Sequence, residues 1–230
     1  MFFDPLYLMI MAPVFIFSLI AQWLVKSKYK KYSQYALSSG YSGAEIARQI
    51  LRANRVDDVP VEETGGWLSD HYSPTEKVLR LSADVYRGRS IAAAGIAAHE
   101  AGHAIQHSTG YVVMNAWQLL AKPAAYASNL AFWVIMIGFF MGALGMVKLG
   151  IVLFSLIVLF QIVTLPVEFN ASRRAKQLLY EYNIIRGPEY NAVAAVLNSV
   201  AMTYVAAAAS SIATLLYFLL RAGLLGGRDE

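Results

Sequence analysis

His99-Glu100-Ala101-Gly102-His103 stands inside a proline-free, alanine-rich run, residues 89–107, that predicts a helix. On a helix, residues four apart lie on one face, about 40° from eclipsed. His99 and His103 can therefore grip a single zinc ion. Glu100 projects close by, where it can act as general base on a water held by that zinc. The chemistry calls for these residue types: neutral imidazoles for a borderline-soft cation, and a carboxylate to take the proton.

Around this stretch the composition is that of a membrane protein. The chain has 230 residues, 57% of them hydrophobic and only 15% charged. Its mean hydropathy is +0.47, which excludes an ordinary soluble domain. There is no cysteine, so disulfides and thiolate metal sites are excluded and the metal ligands must be nitrogen and oxygen. The formal net charge is +4, and the basic residues are clustered. They read as topology signals; with no RNA- or DNA-binding motif beside them, no nucleic-acid partner is expected. The histidines, His71, His99, His103 and His107, all fall in one segment, which favours one polar site there.

Before the motif, residues 5–25 carry no charge and are long enough to cross a bilayer. No small-residue cleavage site follows a short apolar core, so this reads as a retained first span rather than a removed signal peptide. Lys26, Lys28, Lys30 and Lys31 follow at once, which predicts an N-terminus outside the cell membrane and a catalytic region facing the cytoplasm. Ser42-Gly43-Ala44-Glu45 has the form of a capping box opening a helix to about Ala53. Three strand-like runs, 58–63, 67–72 and 77–82, are separated by Gly65-Gly66 and Ser73-Pro74 and predict a short antiparallel sheet. If run 77–82 forms the sheet edge, an extended peptide could pair with it; packing of the same strand on the motif helix is the other reading.

After the motif, residues 130–146 and 149–166 are apolar, and Gly145 with Lys148-Leu149-Gly150 is expected to break them into a hairpin whose tip lies outside. Gly138-x-x-x-Gly142 would let helices approach. Pro166 is expected to begin a second cytoplasmic piece, and residues 195–220 form a fourth span before a frayed tail, residues 226–230, outside. The fold class is thus a mainly α integral membrane protein. It has about four transmembrane helices and a small cytoplasmic α+β region, residues 32–115 and 167–190. All 230 residues read as one membrane domain.

A catalytic zinc takes three protein ligands and keeps a position open. His107, His71, Glu168, Glu181 and Glu189 are the candidates for the third. His107 shares the helix face of His103, but three ligands at this spacing on one straight helix would spread along about 12 Å, too far for one ion. It reads better as a residue supporting the ligands, or as a surface histidine. Glu168 also reads as an interfacial acid at a helix N-terminus.

The run Ser90 through His107 is distinctive. So are Ser69-Asp70-His71-Tyr72 with Val78-Leu79-Arg80-Leu81-Ser82, and Pro166-Val167-Glu168-Phe169-Asn170-Ala171-Ser172-Arg173-Arg174-Ala175. Together they resemble the YugP-like family of membrane-bound neutral zinc metallopeptidases, over nearly the whole chain. More distantly, the motif followed by Glu-Phe-x-Ala resembles the CAAX-prenyl-protease and heat-shock membrane protease group. The resemblance implies one zinc ion held by His99, His103 and Glu168 in a gluzincin-like arrangement, with Glu100 as base. The distant group has an aspartate where this chain has Ser172, so the contact such a carboxylate would make to a histidine must be made differently, with Asn170 and Asp84 as candidates. His71 is the best candidate to donate to the developing oxyanion and reads equally as a plain strand histidine, while Arg173 and Arg174 are others that read more strongly as headgroup contacts. Besides the bilayer, the expected partner is a protein or peptide substrate, membrane-associated or unfolded. No signal sets an oligomeric state or a regulatory membrane partner. A non-catalytic zinc scaffold is the alternative, and the intact Glu100 argues against it. A transporter would need ionisable residues within its spans, and the sequence offers only Lys148.

Overall fold

Helix α1 (Pro5–Ser33) carries the first apolar stretch and continues without a break through Lys26, Lys28, Lys30 and Lys31. In the computed structural model, residues 4–225 are described; the expected tail at 226–230 lies outside them. Three more long helices follow the motif: α5 (Val112–Phe140), α6 (Leu144–Glu181) and α7 (Pro188–Arg221). All four are long and apolar enough to cross a membrane, and α1 leaves nearly all of its apolar window uncovered. Such bare apolar helix is stable only against lipid. The helices are longer than the spans read from hydropathy, because their polar ends continue the same hydrogen-bond ladder.

The described residues divide into two compact units. One comprises residues 4–21, 116–165 and 203–225. Here the hairpin turns at Met141–Gly142–Ala143, earlier than expected, and Gly142 takes a φ of +65° that suits glycine. Gly145, Lys148 and Gly150, read as the breaker, lie inside α6. Gly150 serves packing instead: a Cβ there would stand 2.9 Å from Ile135 N. Gly138 is similarly tight against the Val147 backbone, so of the Gly138-x-x-x-Gly142 pair one glycine packs and the other turns.

The other unit comprises residues 22–115 and 166–202. Helix α2 (Gly43–Ala53) opens with the expected capping box: Ser42 Oγ accepts from Glu45 N, and Ser42 N donates to Glu45 Oε2. Then come β1 (Val61–Thr64), β2 (His71–Ser73) and β3 (Val78–Ser82), followed by α3 (Ala83–Tyr86). The sheet is mixed rather than antiparallel. Its order is β1-β3-β2, with β1 parallel and β2 antiparallel to β3. The expected edge strand at 77–82 is therefore the central one, flanked on both sides and closed to a further strand. The physical reason is burial on both faces: Val78, Leu79, Leu81 and Ser82 are all buried, and such a strand belongs inside a sheet.

Helix α4 (Ile91–Ser108) holds the motif. Ser90 caps it by accepting from Ala93 N, and backbone bonds from Ile91 N to Tyr35 O and from Leu37 N to Arg89 O fix its start against the chain leaving α1. Its alanines are buried nearly all round, in one apolar cluster with α2, the sheet and the adjoining ends of α6 and α7. Small side chains on every face let so many elements reach the motif helix, and at Gly95 Val193 comes within van der Waals contact of where a Cβ would be.

Candidate metal centre

Helix α4 presents His99 and His103 one turn apart, their rings nearly perpendicular with centroids 4.7 Å apart. The two Nε2 atoms are 3.1 Å from each other. From α6, Glu168 sets Oε2 3.1 Å from His99 Nε2 and Oε1 3.7 Å from His103 Nε2. Ligands 2.0–2.1 Å from a tetrahedral zinc stand about 3.3 Å apart, and these separations bracket that value. Lone pairs of two imidazoles and a carboxylate converging in a buried place repel one another unless a cation lies between them. The donor set therefore fits zinc. Among the described residues, His99, His103 and Glu168 are the group so placed.

Charge at the site follows from burial. Desolvation pushes the Glu100 carboxyl above its usual range, against the pull of His103 and His99. Burial alone would lower the His103 imidazole; its contact with Glu168 and the negative charges of Glu168 and Glu100 outweigh that and hold it up at about 9. The same pull that retains a proton in this place would retain a metal.

Behind the ligands stand residues of α4 and α6. Ser172 Oγ lies 3.1 Å from His99 Nδ1. Gln106 Oε1 lies 3.0 Å from His103 Nδ1, while Gln106 Nε2 donates to Val167 O and to Asn170 Oδ1. Asn170 thus reaches His103 only through Gln106, and Asp84, the other residue considered for this support, is exposed on α3. Gly102 permits the approach of the two helices, since a Cβ there would stand 3.1 Å from Ala171 O.

The other candidates are placed elsewhere. His107 Nδ1 and Tyr72 OH share a hydrogen bond of 2.7 Å, joining α4 to β2. His71 is exposed on β2 with Nδ1 2.8 Å from Ser69 O. A carbonyl only accepts, so Nδ1 bears the proton and Nε2 can donate only when the ring is imidazolium. Arg173 and Glu181 are exposed, and Arg174 Nε donates to Asn170 Oδ1. Glu189 accepts from Ser38 N, Ser38 Oγ and Arg186 N, a structural clip. Sequence reasoning missed Gln106, whose signal was its position one helical turn after His103. Asp70 is pushed up by burial although it accepts from Ser82 N and Oγ.

A family model described as "Putative neutral zinc metallopeptidase" matches residues 7–223. The chain is also similar to a protein of Bacillus subtilis (strain 168) named "Putative membrane protease YugP". The two are 49% identical over 210 residues, which cover 91% of this chain and 92% of that protein. No solved structure matches. With a zinc-fitting donor set on α4 and α6, apolar helices of membrane length and a match over most of its length, the chain belongs to this YugP-like family of neutral zinc metallopeptidases.

Proposed function

We propose that the chain is a multi-pass peptidase of the cell membrane, with its N-terminus outside and a gluzincin-type zinc site facing the cytoplasm. It would hydrolyse peptide bonds of membrane-associated or unfolded proteins. The observation that carries this reading is the convergence of His99, His103 and Glu168 beside a buried carboxylate, Glu100, that the ligand set leaves free. A structural metal site has no use for such a base.

Bound zinc would lower the pKa of a water toward 7 and polarise the scissile carbonyl. His99, His103 and Glu168 would hold the ion. Glu100, its carboxyl raised by burial, takes the proton of the attacking water and passes it to the leaving amine. An extended substrate would pair with β2, the edge strand that packs on α4, in place of the enclosed β3.

The test is zinc content per chain for wild type, Glu168→Ala and Glu100→Gln, followed by hydrolysis of an unfolded protein. One zinc in wild type and in Glu100→Gln, loss in Glu168→Ala, and a fall of about 10²–10⁴ in rate for Glu100→Gln support the reading. A wild type that takes no zinc after reconstitution ends it, and a zinc-loaded wild type whose rate Glu100→Gln leaves unchanged ends the peptidase part.

A further inference from the structure

Gln106 is fully buried, yet every polar atom of its side chain has a partner. The partners form a chain that can be read in one sense only. At one end Arg174 Nε stands 2.8 Å from Asn170 Oδ1, and a guanidinium can only donate. At the other, Val167 O stands 2.8 Å from Gln106 Nε2, and a carbonyl can only accept. Turning the Gln106 amide over would set its oxygen against the Val167 carbonyl, and turning Asn170 would set its amino group against Arg174. Asn170 therefore presents its oxygen to both Arg174 and Gln106, and Gln106 presents its oxygen to His103.

An oxygen 3.0 Å from His103 Nδ1 demands a proton on that nitrogen. The proton on Nδ1 leaves the Nε2 lone pair for the place where His99 and Glu168 converge. Val167 and Asn170 also sit either side of Glu168 in α6, so one amide registers the helix of the third ligand against the ring of the second. His99 is held differently, because the Ser172 hydroxyl facing its Nδ1 can turn to donate or accept and imposes no tautomer.

We propose that Gln106 is a positioning residue that locks His103 in its Nδ1–H tautomer, the sense of the lock being set from α6 by Val167, Asn170 and Arg174. The proposal rests on the zinc reading above.

The measurement is zinc affinity by chelator competition in the full-length protein, with thermal unfolding of the metal-free form recorded alongside. Gln106→Met keeps the volume and removes the amide, and affinity is expected to fall about 10–100-fold. Asn170→Ala is expected to weaken zinc in the same direction, whereas Asn170→Asp, which keeps an acceptor for both Arg174 and Gln106, restores affinity to near wild type. If Gln106→Met does not fold, the Asn170 pair decides. Wild-type affinity in the variants, or equal loss in Asn170→Ala and Asn170→Asp, overturns the proposal while the zinc reading stands. A wild type without zinc overturns both.

Discussion

Ser172 Oγ stands 3.1 Å from Nδ1 of His99, both side chains buried, so a hydroxyl rather than a carboxylate faces the first histidine of the motif. A carboxylate here would add a further negative charge beside Glu100 and Glu168. The hydroxyl orients the ring without that cost in buried charge.

Ser172→Ala removes this contact and little volume. Zinc affinity should drop about tenfold, the low end for outer partners because the bond is neutral. Chelator competition measures it, and an unchanged affinity would show that packing alone orients His99.

Gly102 tests how closely α4 and α6 must approach. In Gly102→Ala the new methyl meets Ala171 O at 3.1 Å and Ala171 Cα at 3.4 Å. Overpacking costs about 1–3 kcal/mol, set against about 1 kcal/mol gained in helix propensity. Thermal stability should therefore fall by a net cost of about 0–2 kcal/mol, and zinc retention should fall with it because Ala171 belongs to the helix that carries Glu168. Gly102→Leu should lose both. A fully zinc-retentive Gly102→Leu would contradict the close approach.

Burial pushes the Tyr72 phenol up to about 12, and its oxygen shares a 2.7 Å hydrogen bond with His107 Nδ1. Tyr72→Phe should lower stability by about 1 kcal/mol, the net worth of one hydrogen bond, and leave zinc stoichiometry unchanged. Metal analysis with a denaturation midpoint checks this. Zinc loss on Tyr72→Phe or His107→Ala would return His107 to the metal.

The absence of cysteine makes topology directly measurable. Ser38 is a poor reporter, since its N–H and hydroxyl both engage Glu189. Thr75→Cys, exposed between β2 and β3, should react with an impermeant maleimide only in inverted vesicles. Met141→Cys, exposed at the hairpin tip, should react only in intact cells. The reverse pattern would invert the orientation.

The motif helix, the capping box and the four apolar helices were legible because each depends on local chemistry: alanine propensity, one Ser–Glu pair, uninterrupted hydropathy. Strand order was not. Lys77-Val78-Leu79-Arg80-Leu81-Ser82 alternates like an edge strand, but Val78 and Leu79 are both buried, and only the crossing of β1 to the far side of β3 reveals this. The hairpin was misplaced because Gly145 and Gly150 look like breakers in sequence, while Gly150 is small for the sake of a neighbouring helix. His99 and His103 follow from spacing alone. Glu168 needed a family resemblance, since nothing local separates it from Glu181 or Glu189. Gln106 became visible only once α6 was seen to lie across α4.

Glu168 is separated from His99 by 69 positions, and α5 with the first part of α6 lies between them. A nascent chain that has emerged only as far as α5 owns His99, Glu100 and His103 but not Glu168. The cluster is therefore completed only after both arms of the hairpin have been synthesised. A ribosome that stalls before Glu168 releases a fragment without the whole cluster of His99, His103 and Glu168.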